Sequence, residues 1–472
     1  MKIQAVIFDM GGTIETFEYT RELRLETTAM IQQKLLQAGI DLHLSNEQLF
    51  DVISSGLDRY KRWSLQSMEE LPSRRVWSEY ILLNFDVAKE KVVEISEELM
   101  LLIETRFYCR AMRPEMPEVL QSLKEMGLKI GIISNVNSRG QVPTNLKEYG
   151  IIDYFSPIVL SSEYGRRKPD PSIFHHAARL INAPTSQCVY VGDRVVRDID
   201  GARRAGYGLA IQIRHAFKHG ENDTGCTPDA VIENMTELLD ILNEKRDCEQ
   251  NDADTRKIHA LIFDAGDILY FRSQRGVGFA AFLKELGIES RPNHTQQKKE
   301  IEYQAYRGQI THDEYREAVV RMYGVTEPEQ LARGKQALID DDANVTFFDG
   351  VPETLLALKE QGFLLGIITD TANSLSAKLS WFERGGFGHV WDSFISSMEI
   401  GTRKPDPRIY AASLQQLGLN PDQAVFVGHR VSELDGAHTA GLKTIAFNYD
   451  KDASADHFIE RFSDLLKILL LD

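Results

Sequence analysis

Two aspartates of this chain each follow a short apolar run and precede a glycine turn. Residues 5–8 read Ala-Val-Ile-Phe and lead into Asp9, and residues 260–263 read Ala-Leu-Ile-Phe and lead into Asp264. A buried strand that ends in this way presents a carboxylate at its carboxyl end, where open α/β sheets bind ligands. A carboxylate in that position can attack phosphorus or hold a divalent cation.

Three further short segments occur twice and in the same order. In the first half, Ser134-Asn135 ends an apolar run, Lys168 lies in Arg-Arg-Lys-Pro-Asp-Pro, and Asp193 lies in Val-Gly-Asp-Arg. Their counterparts in the second half are Thr369-Asp370, Lys404 in Thr-Arg-Lys-Pro-Asp-Pro, and His429 in Val-Gly-His-Arg. Because whole segments recur at a nearly constant offset, the sequence indicates two copies of one domain.

Each copy alternates short β-branched runs with longer amphipathic stretches, which predicts βα units around a parallel sheet. In the first copy we predict strands at 3–8, 129–133, 157–160, 188–192 and 208–213. We place the first domain at 1–246, with a final strand and helix over 229–246. The second domain is placed at 258–472, after a polar linker at 247–257 that lacks apolar periodicity.

One long region of each copy breaks this alternation. Residues 17 to about 105 have helical apolar spacing throughout, and the matching region of the second copy, about 275–340, is shorter. We expect both regions to be helical caps over the active end of the sheet. The first cap contains basic and aromatic residues that either hold an anionic or ring-bearing substrate or face solvent or the other copy: Arg62, Trp63, Arg74, Arg75, Trp77 and Tyr80.

The amino-acid composition argues against two classes of binding partner. The net charge of −16 argues against a nucleic-acid or anionic-membrane partner, because both reward basic faces. The four cysteines form no CxxC pair, which fits a reducing cytoplasm and indicates neither a disulfide framework nor a zinc site. We find no secretory signal and no apolar run long enough to span a bilayer. We expect the two copies to pack on each other, since a short linker raises their effective concentration.

With these four duplicated segments, both halves resemble the haloacid dehalogenase-like superfamily of phosphohydrolases. The resemblance implies an α/β fold with two Rossmann-like parallel-sheet cores in tandem, each with a helical cap inserted after its first motif. It also implies transfer of a phosphoryl group to an aspartate, followed by hydrolysis of the phosphoaspartate with Mg²⁺. The expected substrate is a small phosphorylated metabolite.

The resemblance assigns roles to particular residues of the first copy. Asp9 is the expected nucleophile, and Ser134, Asn135 and Lys168 are expected to bind the phosphate. Mg²⁺ is expected to be held by Asp9, the backbone carbonyl of Gly11, Asp193 and Asp198. The expected catalytic set is Asp9, Ser134, Lys168 and Asp193.

The first copy departs from the family pattern at Gly11, where an aspartate usually serves as general acid and base. Glycine keeps the backbone carbonyl but has no proton for the leaving group. General acid catalysis is typically worth ~10²–10⁴-fold in rate. We therefore expect slow turnover, with acyl and aryl phosphates affected least because their leaving groups need little protonation.

The second copy departs further, and we expect it to be degenerate. Asp264, Thr369 and Lys404 keep the expected residue types, but Gly266 again replaces the acid/base aspartate. His429 takes the place of the metal aspartate, with Glu433 opposite Asp198. Imidazole suits softer metals than Mg²⁺. We expect no Mg²⁺-dependent activity from this copy.

Three functions remain open from the sequence. The leading one is an Mg²⁺-dependent phosphatase with its site in the first copy. The alternative is a duplicated pseudoenzyme that binds a phosphorylated ligand or a protein without turnover, as Gly11, Gly266 and His429 suggest. Metal-independent dehalogenation, which the superfamily also contains, ranks last because Asp193 and Asp198 look like a retained metal pair.

Overall fold

The computed structural model describes residues 2–214, 225–249, 256–289 and 292–468. The chain divides into two compact units, Met1–Asp252 and Ala253–Asp472. The last helix of the first unit extends to Glu249, so positions 247–249 of the predicted linker are helical. Positions 250–255 of that linker lie outside the described residues.

The first unit is built on a parallel sheet. Its strands are β1 (Ala5–Phe8), β2 (Glu15–Glu18), β3 (Cys109–Met112), β4 (Lys129–Ser134), β5 (Ile158–Leu160), β6 (Cys188–Gly192), β7 (Leu209–Ile213) and β8 (Ala230–Ile232). Among the described residues, six strands form the sheet in the order β5-β4-β1-β6-β7-β8, with every neighbouring pair parallel. The five strands predicted up to position 213 are all present. The predicted final strand is β8.

Helices cover both faces of this sheet and form the cap. They are α1 (Arg21–Gln37), α2 (Asn46–Ser67), α3 (Ser73–Val76), α4 (Lys89–Arg106), α5 (Met116–Glu125), α6 (Gln141–Glu148), α7 (Ser161–Tyr164), α8 (Pro171–Leu180), α9 (Asp200–Arg204) and α10 (Thr236–Glu249). π-Helical turns occur at Trp77–Ile81 and Val195–Ile199, and 3₁₀ turns occur at Ile152–Tyr154 and Thr185–Gln187. The strands of the sheet contribute alternate side chains to two separate apolar clusters, one on each face.

The first cap comprises α1 to α4 and the π-helical turn, and it has an apolar core of its own. An antiparallel ribbon of β2 and β3 connects this cap to the sheet. The prediction of helix from position 17 was therefore wrong at its first two residues, which belong to β2. The strand conformation is stabilised by pairing with β3. The ring of Phe17 also meets that of Tyr108, which directly precedes β3, edge to face. Four-residue strands are too short to give a periodic signal against a long helical region.

The second unit repeats the architecture of the first. Its strands are β9 (Ala260–Asp264), β10 (Tyr270–Phe271), β11 (Thr346–Phe347), β12 (Leu364–Thr369), β13 (Ser393–Ser396), β14 (Ala424–Gly428), β15 (Lys443–Phe447) and β16 (His457–Ile459). Within the described part of this unit, six parallel strands follow the order β13-β12-β9-β14-β15-β16. Because strand order and polarity match those of the first sheet, the tandem α/β fold is confirmed.

The helices of the second unit also follow the pattern of the first. They are α11 (Val277–Glu285), α12 (Pro292–Tyr306), α13 (His312–Met322), α14 (Pro328–Ala343), α15 (Val351–Glu360), α16 (Leu375–Arg384), α17 (Ser397–Ile400), α18 (Pro407–Leu417), α19 (Val431–Thr439) and α20 (Leu465–Ile468). Short 3₁₀ turns occur at Gly388–Val390, Pro421–Gln423 and Phe462–Asp464. Helices α11 to α14 form the second cap around a separate apolar cluster. Among the helices described, none combines the length and the apolar character that crossing a membrane requires.

Candidate active site

Three carboxylates of the first unit meet at the carboxyl edge of its sheet. Asp9 follows β1, Asp193 follows β6, and Asp198 lies in the π-helical turn that comes next. Strands β1 and β6 are parallel neighbours, so their ends bring Asp9 and Asp193 together. One carboxylate oxygen from each of the three residues lies within 4.8 Å of the others. The sequence predicted these three residues as metal ligands, and the structure brings them together.

Two glycines make this close approach possible. Gly12 has a φ of +90°, and a Cβ atom at this position would collide with the carboxylate of Asp193. A Cβ atom at Gly192 would collide with the side chain of Asp198. Any larger residue at either position would therefore push a carboxylate out of the cluster.

Lys168 supplies a buried positive charge to the carboxylates. Its Nζ atom lies 2.6 Å from Asp9 Oδ1 and 2.7 Å from Asp198 Oδ1. The same ammonium group donates a hydrogen bond to the hydroxyl of Tyr190, at 2.7 Å. A buried lysine is tolerated only when its charge is compensated in this way. The sequence predicted Lys168 in the site but gave no reason to place Tyr190 there.

The side chain of Asn135, which we predicted to bind phosphate, is hydrogen-bonded to the backbone of Lys168. Its Nδ2 atom donates to the backbone carbonyl of Lys168 at 3.0 Å, and its Oδ1 accepts from the backbone N–H of Lys168 at 2.9 Å. The side chain of Asn135 therefore positions the loop that carries the lysine. Ser134 is buried at the end of β4, the strand next to β1, so it lies at the same edge of the sheet.

Arg197 is a site residue that the sequence analysis missed. Its Nη2 atom lies 3.1 Å from Asp9 Oδ2, 3.0 Å from Asp193 Oδ1 and 3.3 Å from Asp198 Oδ2. A guanidinium group therefore stands among the three carboxylates. The position of Arg197 next to Asp198 was the available signal, but adjacency in sequence does not show where a long side chain ends.

The electrostatic environment separates two of the carboxylates. Burial raises the pKa of Asp193 to about 7, an effect that Arg197 opposes and that Asp9 and Asp198 reinforce. Burial also acts to raise the pKa of Asp198, but Arg197 and Lys168 outweigh it and lower that pKa to about 2. Asp198 is therefore the carboxylate that the site holds ionised, whereas Asp193 is the one more easily protonated.

The donor atoms of this cluster suit a small hard cation. Mg²⁺ prefers carboxylate, carbonyl and water oxygens, and Asp9, Asp193 and Asp198 provide three carboxylates. The guanidinium of Arg197 among them indicates that the cluster already favours a positive charge there. The residues therefore fit a divalent cation such as Mg²⁺.

The side chains next to Gly11 are the cationic Arg110 and the ring of Phe17. A Cβ atom at Gly11 would lie 3.7 Å from Arg110 Nη1 and 3.7 Å from Phe17 Cε1, which are ordinary contact distances. Arg110 forms an ion pair with the buried carboxylate of Glu15. A larger residue would therefore fit at position 11, and the absence of an acid there is not imposed by crowding.

The first cap is attached to the core loop 135–139 by three carboxylates. Glu104 accepts hydrogen bonds from the backbone N–H groups of Asn137 and Ser138, both at 2.8 Å. Glu97 accepts from the Ser138 hydroxyl at 2.9 Å, and Glu70 accepts from the Asn137 side-chain amide at 2.9 Å. This loop begins at Asn135, directly after Ser134, so the cap is anchored beside the candidate active site.

The basic and aromatic residues predicted as a possible substrate patch largely serve the cap itself. Trp77 is fully buried in the apolar core of the cap. Trp63 and Tyr80 pack against each other and against Tyr60. Arg75 forms an ion pair with Glu79 one helical turn away.

The corresponding edge of the second unit has a different set of side chains. Asp264 ends β9, His429 follows β14, and Glu433 lies in α19; one ligand atom from each lies within 4.8 Å of the others. Lys404 Nζ lies 2.5 Å from Asp264 Oδ1 and 3.7 Å from Glu433 Oε1. The sequence predicted this grouping, including Glu433 as the counterpart of Asp198.

Two predicted residues of the second site, Thr369 and Asp370, each form a hydrogen bond with a lysine. Thr369 accepts a hydrogen bond at 3.0 Å from the buried ammonium of Lys378, which also donates to the Tyr270 hydroxyl at 2.7 Å. Asp370 accepts at 3.2 Å from the backbone N–H of Lys404, much as Asn135 does from Lys168. The sequence analysis missed Lys378, because one lysine in a helical stretch usually faces solvent.

The charges of the second site are largely balanced. Burial raises the pKa of Glu433 to about 7, although Lys404 opposes the effect. Burial likewise raises the pKa of Asp370 above its usual range. Burial also acts to raise the pKa of Asp264, but Lys404 outweighs it and the pKa falls. Asp264 is thus the carboxylate held ionised, and Lys404 is the charge that compensates it.

Comparison with known proteins identifies one family in both halves. Residues 3–206 match a sequence model described as haloacid dehalogenase-like hydrolase, and residues 280–447 match a second model with the same description. A glyceraldehyde 3-phosphate phosphatase from Methanopyrus kandleri is 29% identical over 245 residues, which cover 51% of this chain and 98% of that protein. A protein of the same name from Pyrococcus furiosus is 36% identical over 132 residues, covering 25% of this chain and 53% of its own length.

Several other curated relatives are matched over about half of their own length. One is a phosphoglycolate phosphatase from Nitrosococcus oceani, 28% identical over 131 residues, with 28% of this chain and 57% of that protein covered. Among solved structures, a phosphatase from Thermococcus onnurineus is 23% identical with a TM-score of 0.35, covering 51% of this chain and 98% of its own.

Proposed function

The chain is a tandem pair of haloacid dehalogenase-like hydrolase domains, and we propose that its first domain is an Mg²⁺-dependent phosphatase for a small phosphorylated metabolite. The observation that carries this proposal is the convergence of Asp9, Asp193 and Asp198 around one point, with Lys168 bonded to two of them. Mg²⁺ held by the three carboxylates would neutralise negative charge on the phosphoryl group and reduce its repulsion of Asp9.

In the proposed reaction, a carboxylate oxygen of Asp9 attacks phosphorus. The bond between phosphorus and the leaving-group oxygen breaks, and Asp9 becomes an aspartyl-phosphate. Water then attacks this phosphorus, which releases inorganic phosphate and regenerates Asp9. Lys168 holds Asp9 through Oδ1, so the other oxygen, Oδ2, is the one we assign to the attack. Arg197 must leave that oxygen before the attack takes place, because its Nη2 lies 3.1 Å away.

The leaving group receives no proton from position 11 in this mechanism. Acyl and aryl phosphates, whose leaving groups are stable as anions, should therefore be hydrolysed faster than alkyl phosphates. The relatives named for glyceraldehyde 3-phosphate and phosphoglycolate point to short monophosphates as the physiological class. We propose such molecules as substrates, with the rate limited by departure of the alkoxide.

The test is phosphate release by the full chain in excess Mg²⁺. The panel should pair glyceraldehyde 3-phosphate and phosphoglycolate with acetyl phosphate and p-nitrophenyl phosphate. Loss of a nucleophile commonly reduces turnover by ~10⁴–10⁶-fold, so Asp9→Asn should reduce release to background. The control Asp267→Asn makes the same chemical change at an acid in the corresponding turn of the second domain and should keep wild-type activity. Equal silence of wild type and Asp9→Asn on every compound would refute the phosphatase.

A second candidate function is the binding of a phosphorylated ligand without turnover. Two observations favour it: no acid stands at Gly11, and Arg197 bridges the carboxylates that would hold Mg²⁺. Calorimetry with the same compounds separates the two functions, because a pseudoenzyme would bind them and release no phosphate. The metal-independent dehalogenase alternative predicts halide release in the presence of EDTA, which the phosphatase does not.

A further inference from the structure

The second domain has a cluster of three potential metal ligands at the carboxyl edge of its sheet. Asp264, His429 and Glu433 each offer one ligand atom within 4.8 Å of the others. Their side chains are buried, with exposed fractions of 6%, 7% and 4%. We propose that this cluster binds a divalent transition-metal ion of the Zn²⁺ class and discriminates against Mg²⁺, independently of any activity in the first domain.

The first argument comes from the atoms that Lys404 leaves unused. Its ammonium contacts one oxygen of each carboxylate, Asp264 Oδ1 and Glu433 Oε1. Within the described residues, Glu433 Oε2 and His429 Nδ1 are buried and have no hydrogen-bond partner. A buried polar atom without a partner costs roughly 1–3 kcal/mol, so two in one cluster require an explanation. A bound cation provides a partner for both.

The remaining oxygen of Asp264 belongs to the same group of atoms. Its Oδ2 lies 3.5 Å from His429 Nδ1, which is too long for a strong hydrogen bond. A metal ion between these two atoms would have one oxygen and one nitrogen ligand. Glu433 would provide a second oxygen, and water could complete the coordination, as in zinc sites with three protein ligands.

The chemistry of the ligands selects the class of ion. Mg²⁺ favours oxygen ligands and retains several of its waters, whereas imidazole suits Zn²⁺, Fe²⁺, Ni²⁺ and Cu²⁺. The first domain presents three carboxylates in the same place, and Asp193 is the one that His429 replaces. Replacing this aspartate by histidine therefore changes the preferred ion from the hard cation Mg²⁺ to a softer divalent ion such as Zn²⁺. The number of potential ligands remains three.

Metal binding requires a rearrangement that the structure permits. Arg430 Nε donates to His429 Nε2 at 3.2 Å, so in the metal-free domain the ring proton is assigned to Nδ1. Ligation through Nδ1 requires that proton to move to Nε2 and the Arg430 side chain to turn away. That side chain is 58% exposed, and turning away would also break its 3.9 Å ion pair with Glu433 Oε1. The ring is neutral before and after this shift, so the histidine itself releases no net proton.

The test is metal binding by the full chain after removal of bound ions with a chelator. Isothermal titration with Zn²⁺ and Mg²⁺ should be done in an Asp193→Asn background, which disables the carboxylate cluster of the first domain. We expect one Zn²⁺ per chain and no comparable Mg²⁺ affinity. Co²⁺ provides an independent optical readout, because its visible absorption reports nitrogen and oxygen ligands.

Variants of the proposed ligands make the test specific. His429→Ala should weaken Zn²⁺ binding at least tenfold, and Glu433→Gln, which keeps the side-chain shape, should also weaken it. His429→Asp should shift the preference from Zn²⁺ toward Mg²⁺. Thermal unfolding identifies any variant that has lost its fold, and the wild-type melting temperature should rise with Zn²⁺. The absence of saturable Zn²⁺ binding, or equal binding by folded His429→Ala, would overturn the proposal.

Discussion

In both domains a buried lysine contacts the aspartate at the end of the central strand, yet the two sites surround that pair differently. Lys168 donates to the hydroxyl of Tyr190, whereas Lys404 donates to the backbone carbonyl of Ile368. The position in β14 that corresponds to Tyr190 is Phe426, which has no hydroxyl. The duplicated backbone therefore preserves the lysine–aspartate pair, while the residues around it have changed.

The difference teaches which part of the site the fold maintains and which part carries the chemistry. The site of the first domain contains three acids, which are Asp9, Asp193 and Asp198. Lys168 and Arg197 provide the compensating positive charges. The second domain gathers two acids and an imidazole and relies on Lys404. Buried charge must be compensated in both, but only the first domain has the oxygen-rich set that suits Mg²⁺.

The largest expected difference between the domains follows removal of the buried lysine. Lys168→Met leaves two buried carboxylates without their ammonium partner, and breaking such a pair typically costs ~3–5 kcal/mol. Lys404→Met should cost less, because it removes the partner of one ionised carboxylate, Asp264, whereas the raised pKa of Glu433 lets that side chain take up a proton. Hydrogen exchange with mass spectrometry, read separately for peptides of each domain in mild denaturant, measures both losses. Equal losses would show that the second site is as strongly charged as the first.

The next comparison restores an acid in each glycine turn. Gly11→Asp places a carboxyl group where contacts are ordinary, and Gly266→Asp places one where nothing lies within 4 Å. If the missing proton donor limits turnover, Gly11→Asp should raise alkyl phosphate hydrolysis by ~10–10²-fold, toward the usual value of general acid catalysis. Acetyl phosphate should gain less than about threefold, since its leaving group needs little protonation.

Gly266→Asp is the matched control, because the second domain lacks the Mg²⁺ aspartate and should gain no phosphatase activity. If Gly11→Asp leaves the alkyl rate unchanged, the new carboxyl group has paired with Arg110 or another group already supplies the proton. Crossing the variant with Arg110→Gln distinguishes these two explanations. Recovery of the rate in the double variant would identify the ion pair.

The sequence supported prediction of the fold and of the charged groups, because both depend on strand ends. A parallel strand fixes where its last residue lies, so Asp9, Asp193, Asp264 and His429 could be placed at a sheet edge from their apolar runs. Arg197, Tyr190 and Lys378 could not be placed in this way. Their roles depend on how far a side chain reaches across the site, and no spacing in the sequence reports that.

A smaller effect is expected when the guanidinium is removed from the first site. Arg197→Gln should increase Mg²⁺ or Mn²⁺ affinity about tenfold, because the guanidinium charge that stands among the three carboxylates repels an incoming metal ion. Calorimetry or Mn²⁺ spin resonance at pH 8, chosen because the pKa of Asp193 is raised, measures this affinity without relying on activity. Arg430→Gln makes the same change in the second domain, where the arginine is largely exposed. This variant should change the Zn²⁺ affinity of the second site by less than tenfold. Weaker binding by Arg197→Gln would mean that Arg197 holds the carboxylates together rather than excluding the metal.

The smallest expected effect concerns how the two caps are attached to their cores. The first cap is anchored through the partly buried Glu104, whereas the second contacts its core through His312 and Arg316. Burial raises the pKa of Glu104 to about 7, although the N–H groups of Asn137 and Ser138 and the charge of Arg110 oppose it and Glu70 reinforces it.

This raised pKa fixes the direction of a pH effect on cap attachment. Between the unfolded pKa near 4.5 and the folded pKa near 7, the folded domain retains a proton on Glu104 that the unfolded chain releases. The resulting stability is fully present below pH 4.5 and is lost as pH rises through 7. We expect the stability of the folded domain to decrease by on the order of 1 kcal/mol between pH 5 and 7.

Hydrogen exchange of the loop 135–139 should become faster over this range in wild type and should change less in Glu104→Gln. Glu98→Gln, at a half-exposed position of the same helix, should retain the wild-type slope. If Glu104→Gln also retains it, another group controls how the cap is held.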